Sequence, residues 1–253
     1  MIAAIIAAAG SGERFGASIP KALIQLGDRT LIEHAVSAIS SVADQIIVTA
    51  PAGFEEEFRK VLGDQVTVIT GGILRSDSIR LALAQIPNNY EYVLVHDAAR
   101  SLATTALAKS VVEQLVKGEQ AVIPALDVID TIKEVDSNNY VRNTLNRSSL
   151  RAVQTPQGFT RSVLARAHEA SEDATDDAAL VEALGIPVKV VPGEIRALKI
   201  TTKSDLAAAT QVLLPNTQKQ IRVGIGTDTH AFSEDKNKKL SLAGLIWENE
   251  IGL

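Results

Sequence analysis

The chain of 253 residues contains no cysteine. That excludes a disulfide scaffold, a cysteine nucleophile and every thiolate metal site. It has no excess of positive charge either: 25 Lys and Arg against 30 Asp and Glu leave a formal net charge of −5. A general nucleic-acid binder needs a positive face for the phosphate backbone, so that class is excluded. A small phosphorylated ligand is not, because a local cluster of cations suffices. No apolar run approaches the roughly 18 residues of a membrane span. The opening Met1-Ile-Ala-Ala-Ile-Ile-Ala-Ala-Ala9 lacks a basic leader and runs at once into a Gly-rich charged segment. It reads as a buried first strand rather than a signal peptide, and the absence of cysteine fits a reducing, cytoplasmic setting.

What is present is an ordinary globular composition, 46% hydrophobic and 22% charged, in a chain long enough to bury roughly 70–75% of its unfolded surface. Short β-branched runs alternate with longer amphipathic segments, the pattern of βαβ units and a mainly parallel sheet. Strands are expected at Ile2–Ala8, Gln45–Ala50, Val66–Thr70, Tyr92–Val95, Gln120–Pro124 and Val188–Val191. Thr30-Leu-Ile-Glu33 is a capping box that opens a helix towards Ser40. Helices are also expected at Ser76–Ile86, Thr105–Val116, Arg161–Glu169, Ala178–Leu184 and Lys203–Leu213, from apolar spacings of three and four.

Two segments break the alternation. Asp127–Val135 and Tyr140–Leu145 are short extended stretches joined by the turn Asp136-Ser-Asn-Asn139. They read as a β-arm over about 127–146. A lone hairpin is marginal in water, so the arm packs either on its own domain or on a second subunit. Later, 214–220 is a polar, Pro-containing stretch of linker character. The expected organisation is a domain over 1–213, a linker over 214–220, and 221–253, too short to fold alone without help.

Several clusters could carry chemistry. At the first βα junction, Ala8-Ala9-Gly10-Ser-Gly12-Glu-Arg14-Phe-Gly16 is followed by Pro20-Lys21. Position 15 is Phe, so the dinucleotide G-x-G-x-x-G is absent, and so is the P-loop spacing. Two cations flanking a glycine turn suit a triphosphate whose charge rises during transfer. The competing reading is a tight turn with solvated cations. His96-Asp97-Ala-Ala-Arg100 follows an apolar strand and so falls at the carboxyl edge of the sheet, where ligands of open α/β sheets bind. Asp97 there can hold a divalent metal or a ribose hydroxyl, and Arg100 a phosphate or Asp97 itself. His96 reads as scaffold, and His34 and His168 as packed or solvated helix residues. Gly71-Gly72 permits backbone contact with a flat base, with Ser78 at its edge or, alternatively, serving as a helix cap. Asp130-Thr-Ile-Lys133, Arg147, Thr155-Pro-Gln157, Thr175-Asp-Asp177 and Lys199-Ile-Thr201 are polar clusters that singly read as turns and caps. No Ser/His/Asp or zinc-protease spacing occurs.

In this order, the motifs resemble the 2-C-methyl-D-erythritol 4-phosphate cytidylyltransferase family. The carriers are Ala8-Ala-Gly10-x-Gly12-x-Arg14, Pro20-Lys21, Gly71-Gly72-x-x-Arg75-x-x-Ser78, Val95-His-Asp-Ala-Ala-Arg100, Asp130-Thr-Ile-Lys133, Gln154-Thr-Pro-Gln157, Thr175-Asp-Asp177 and Lys199-Ile-Thr. After the linker, Arg222-Val-Gly-Ile-Gly226-Thr-Asp228-Thr-His230 resembles the opening of 2-C-methyl-D-erythritol 2,4-cyclodiphosphate synthase, an activity that some bacteria fuse to the first. Ser101, Ala22 and Ala197 depart from the family's usual Pro, Gln and Asn.

The resemblance implies a Rossmann-like α/β nucleotidyltransferase domain with a protruding β-arm that builds a homodimer. CMP would pass from CTP to methylerythritol phosphate with Mg²⁺, in non-mevalonate isoprenoid synthesis. Arg14, Lys21 and Lys199 would be catalytic. Ala8, Ala9, Gly10, Gly12, Gly71, Gly72, Ser78, Asp97 and Arg100 would bind nucleotide, with Asp97 on the metal side. Thr131, Lys133, Arg147 and Thr155 would bind the acceptor. Asp228 and His230 match two zinc ligands of the cyclase, two apart along a strand. The third falls beyond Leu253, which implies an incomplete Zn²⁺ site and no cyclase activity. The alternatives are another cytidylyl- or sugar-nucleotide transferase, or a non-catalytic nucleotide-binding relative.

Overall fold

The computed structural model describes residues 1–10, 15, 19–170, 176–213, 231–242 and 244–251. The chain divides into two compact units, Met1–Pro215 and Asn216–Leu253.

In the first unit the strands are β1 (Ile2–Ala7), β2 (Gln25–Leu26), β3 (Arg29–Thr30), β4 (Gln45–Ala50), β5 (Thr67–Thr70), β6 (Tyr92–Asp97), β7 (Ala121–Asp127), β8 (Lys133–Val135), β9 (Val141–Thr144), β10 (Arg151–Val153), β11 (Gln157–Thr160) and β12 (Lys189–Pro192). The helices are α1 (Leu31–Ile39), α2 (Glu55–Leu62), α3 (Arg75–Leu83), α4 (Thr105–Val116), α5 (Arg161–Ala170), α6 (Asp177–Ala183) and α7 (Lys203–Leu213). Eight strands form one sheet in the order β10-β7-β11-β6-β1-β4-β5, with β12 also paired to β7. The pairs β1–β4, β1–β6, β4–β5 and β7–β12 are parallel, whereas β11 runs antiparallel between β6 and β7. β1 therefore has β4 on one side and β6 on the other, and the chain reverses its winding there. The crevice at such a reversal is where open α/β sheets bind ligands.

The buried strands follow from their sequence. β1 is apolar on both faces: Ala4 and Ile6 belong to one core cluster, with Ile32, Phe58 and Val111, and Ala3 and Ile5 to another, with Ile79, Phe159 and Leu164. Helices α1, α2 and α4 thus cover one face and α3, α5 and α6 the other. Each fully buried isoleucine of β1 contributes about 1.5–3 kcal/mol by leaving water. α1 opens as its sequence predicts: Thr30 N–H donates to Glu33 Oε2 at 2.6 Å, and Glu33 N–H donates back to Thr30 Oγ1 at 3.4 Å.

Two features depart from the sequence reading. The helix α2 was not among those expected, although Phe54, Phe58, Val61 and Leu62 recur at i, i+4, i+7 and i+8 and pack on the core behind a first turn of three glutamates. The strand β11 contains Gln157 and Gly158, a poor strand composition. It forms because Gly158 lies under α4, where a Cβ would come within 2.5 Å of Val111 and 2.9 Å of Leu115. The helix packs onto the sheet at the one place without a side chain.

The arm is present as β8 paired with β9. Asp136 Oδ1 accepts from the N–H groups of Asn138 and Tyr140, and Asn139 sits at φ 65°, a left-handed conformation that Asn tolerates. Ile129, Val135, Tyr140 and Val141 on or beside it are all largely exposed. The second unit contains the hairpin β13 (Lys239–Leu242) and β14 (Leu245–Ile251), which turns through Gly244 at φ 81°. Asp228 and His230 lie outside the described residues. No helix among the described residues is long and apolar enough to cross a membrane.

Candidate active site

At the carboxyl ends of β1 and β6 the structure opens a cavity of about 310 Å³. One wall is the backbone leaving β1, Ala8-Ala9-Gly10. The opposite wall is Gly72 to Arg75 with Ser78, and the floor carries Asp97, Lys21 and Lys199. Residues from six separate stretches of sequence, Leu31 of α1 among them, thus meet here. Gly12 and Arg14 lie outside the described residues.

The walls are held by short-range bonding. Ala8 N–H donates to Thr49 O at 3.2 Å, and Gly71 N–H to Ala50 O at 2.8 Å, which ties both loops to β4. The two glycines are required by closeness. A Cβ on Gly71 would fall 2.3 Å from Ala9 Cβ, and one on Gly72 would fall 2.2 Å from Asp77 Cβ. Ser78 lines the cavity, but its hydroxyl accepts from Gly72 N–H at 3.0 Å and donates to Leu74 O at 3.2 Å. It shapes the Gly-Gly loop rather than presenting a free edge to a base.

Lys199 is aimed by the loop before it. Gln154 Nε2 donates to Glu194 O at 2.8 Å, Glu194 N–H donates to Gln154 Oε1 at 2.9 Å, and Ile200 N–H donates to Ala99 O at 2.8 Å. Arg100, read from the sequence as a nucleotide contact, does not line the cavity. Its Nη1 donates to Ala197 O and its Nη2 to Val153 O, both at 2.9 Å, so the guanidinium braces the Lys199 loop. Thr155, read as an acceptor contact, is also placed elsewhere. It is buried, and its Oγ1 accepts from Asp97 N–H at 3.0 Å and bonds His96 Nδ1 at 2.8 Å. Both placements share a cause: the polar side chains of a strand end are as readily turned inward to satisfy buried backbone as outward to a ligand. Ser101 closes its turn by donating to Ala98 O at 3.0 Å, and Ala197 is fully buried beside Ala103 and Leu107.

The charges balance locally. Lys21 Nζ donates to Ile200 O at 3.0 Å. Lys199 Nζ lies 2.8 Å from Asp97 Oδ2, and Arg75 Nε lies 3.3 Å from Asp97 Oδ1. Burial alone would raise the Asp97 carboxyl, but Arg75 and Lys199 outweigh it and hold the group well below the usual carboxylate range. Arg75 and its second partner Asp177 were not among the residues read as functional. Their signal was the Gly-Gly-x-x-Arg and Thr-Asp-Asp runs, each explicable as a turn or cap. Thr131, Lys133 and Arg147 stand on or beside the arm and do not line this cavity. Lys133 Nζ donates to Thr144 Oγ1 at 2.7 Å, and Arg147 Nη1 donates to Ile129 O at 2.5 Å.

His96 is scaffold, as its sequence position suggests. Burial pushes its pKa down to about 4. The unfolded histidine titrates near ~6.5, so between these values the unfolded chain binds more protons and stability falls as pH falls, on the order of 1 kcal/mol per pH unit. Urea unfolding at pH 7 and pH 5 should show wild type losing more stability on acidification than His96→Gln. Equal losses would place the acid sensitivity elsewhere.

A metal fits this donor set only if a nucleotide brings most of its ligands. Among the described residues no three His, Asp or Glu cluster as a metal cage, and Asp97 is the single carboxylate lining the cavity. One carboxylate beside phosphate oxygens is the usual setting for Mg²⁺.

A cavity of about 310 Å³ at the switch point, lined by a glycine-containing loop from each side and by Lys21 and Lys199, defines an α/β nucleotidyltransferase site. Residues 2–214 match the family described as IspD, 2-C-methyl-D-erythritol 4-phosphate cytidylyltransferase, and the chain belongs to that family. It is 48% identical over 211 residues to the 2-C-methyl-D-erythritol 4-phosphate cytidylyltransferase of Rhodococcus jostii, covering 82% of this chain and 93% of the relative. It is 40% identical to the bifunctional enzyme IspD/IspF of Clavibacter michiganensis, a match that covers 98% of this chain and 64% of the relative. Among solved structures, 4-diphosphocytidyl-2C-methyl-D-erythritol synthase from Anaerococcus prevotii superposes with a TM-score of 0.74 at 33% identity, over 84% of this chain and 95% of that one. The bifunctional IspDF of Campylobacter jejuni gives 0.71 at 31% identity, over 81% of this chain and 53% of that one.

Proposed function

We propose that this chain transfers CMP from CTP to 2-C-methyl-D-erythritol 4-phosphate and releases pyrophosphate, a step of isoprenoid synthesis. The observation that carries this reading is the convergence of Lys21, Lys199 and Asp97 with the Ala8–Gly10 loop around one cavity. An oxygen of the acceptor phosphate attacks the α-phosphorus of CTP in line. The new oxygen–phosphorus bond forms as the bond to the β-phosphate bridging oxygen breaks, and pyrophosphate departs with the electron pair. The attacking oxygen is already anionic, so no general base is needed. Catalysis is then positioning plus charge stabilisation.

Lys21 and Lys199, with Arg14, meet the charge that grows around the α-phosphorus and the leaving group. The Gly71-Gly72 backbone lies against the base, and Asp97 faces the ribose and metal side. Bound Mg²⁺ would supply neutralisation of the phosphate charge, with Asp97 as its protein neighbour. Thr131, Lys133 and Arg147 hold the acceptor phosphate from the arm. The exposed Ile129, Val135, Tyr140 and Val141 support an arm that packs on a second copy of the chain, so that acceptor groups reach the partner's cavity. The segment beyond the 214–220 linker is the opening of a cyclodiphosphate synthase domain. The match to a bifunctional relative across nearly the whole chain supports this.

The test is pyrophosphate release from CTP and Mg²⁺ with and without methylerythritol 4-phosphate. Release that depends on that acceptor is expected. Release with a sugar phosphate or ribitol phosphate instead would assign a different transferase, and CTP binding without release from any acceptor would make the chain a nucleotide-binding relative.

A further inference from the structure

The two oxygens of Asp97 are held by cations of unlike character. Lys199, on Oδ2, has a side chain 46% exposed on a flexible four-carbon stem. Arg75, on Oδ1, is 29% exposed and carries a second bond, from Nη1 to Asp177 Oδ2 at 2.7 Å. Asp177 begins α6 and its side chain is 1% exposed; its Oδ1 lies 2.9 Å from His168 Nε2 on α5. A continuous chain of polar contacts therefore runs from His168 through Asp177, Arg75 and Asp97 to Lys199 in the cavity.

The two cations differ in their freedom to leave. A planar guanidinium bridging two carboxylates is fixed by both, whereas an ammonium exchanges partners by rotating its stem. Releasing Arg75 would also leave Asp177 as a buried charge short of a partner, which is costly. Burial pulls the Arg75 group down, but Asp177 and Asp97 together hold it above the ordinary arginine value.

We propose that Arg75 is a positioning residue for the nucleotide: anchored on Asp177, it keeps one oxygen of Asp97 in place while Lys199 leaves the other to meet the incoming phosphates. The inference rests on the cytidylyltransferase reading above. It assigns Asp97 a fixed oxygen and an exchangeable one, so the carboxylate keeps its orientation at the moment it loses its second cation. Without the anchor, Asp97 would follow Lys199 and retain it, and the cavity would offer less positive charge to CTP.

The informative variant is Asp177→Asn, because Asp177 does not line the cavity. An amide can accept from Arg75 or from His168 but faces the other with its own donors. KM for CTP, and the CTP Kd measured directly by calorimetry, are expected to rise about tenfold or more, with KM for methylerythritol phosphate little changed. Arg75→Lys should give the same selective rise, since one ammonium cannot bridge both carboxylates. The double variant should be no worse than the worse single. Unchanged CTP affinity, additive effects, or a fall in kcat with both KM values intact would overturn the proposal. Should Asp177→Asn fail to fold, His168→Asn provides the same readout one step further from the cavity. A wild type that binds CTP but releases no pyrophosphate would sink the functional reading instead, and the calorimetric comparison would still decide the role of Arg75.

Discussion

Lys21→Ala is expected to lower turnover on the order of 10²-fold or more, the usual cost of removing a preorganised charge that faces the transition state. Lys21 sits in the single turn Lys21–Leu23 that follows Pro20, and its ammonium is held against Ile200 O at 3.0 Å, one residue from Lys199. Both ammonium groups line the same cavity, Lys199 paired there with Asp97, and both become available to an entering polyphosphate. The fold should be unaffected, because the side chain is only half-buried and the neighbouring Ala22 provides the packing. Circular dichroism and melting temperature should therefore match wild type while pyrophosphate release collapses. A normal rate would remove Lys21 from the mechanism. The same variant tests the arm: mixed with an inactive Arg147→Ala protein, it should regain activity if acceptor groups cross between subunits. No recovery despite subunit exchange would confine the site to one chain.

Gly71→Ala is expected to cut kcat/KM for CTP by on the order of 10²-fold, because misplacing a binding loop by about 1 Å costs that much. The added methyl would lie 2.3 Å from Ala9 Cβ and 2.8 Å from Ser78 Oγ, with Ala50 O at 3.4 Å. Gly71 cannot back away while its N–H is bonded to Ala50 O. Relief must come from Ala9, which adjoins the phosphate loop, or from Ser78, whose hydroxyl holds Gly72 N–H. Either movement spoils a wall of the cavity. Overpacking of this kind costs about 1–3 kcal/mol of stability, which a domain of this size tolerates. A variant that folds and retains wild-type KM for CTP would show that this loop does not contact the nucleotide.

The parallel strands and their covering helices were legible because periodicity reports burial directly. β1, β4 and β6 are apolar on both faces, and α1 announces itself with Thr30 and Glu33. α2 carried a legible stripe in Phe54, Phe58, Val61 and Leu62 that the reading passed over, whereas β11 was not legible, because a strand built around Gly158 is chosen by the helix above it. The chemistry divides in the same way. Lys21 and Asp97 stood out from the residues as charge at strand ends and Lys199 only through the family resemblance, and the three line one cavity. Arg100, Thr155 and Ser78 could be named too, but not where their polar atoms would point. Each turned inward to a carbonyl, a histidine or an amide.

The difference lies in what each level of organisation controls. Alternation of apolar and polar residues is a local property, and it decides which segments are strands, which are helices and which ends face the crevice. The pairing of Arg75 with Asp177, 102 positions away in the chain, and the bracing of Ala197 by Arg100 are decided by which unsatisfied groups the packed core brings within about 3 Å of each other. No local pattern encodes that distance, because burial makes a polar group seek whichever partner the completed fold places beside it.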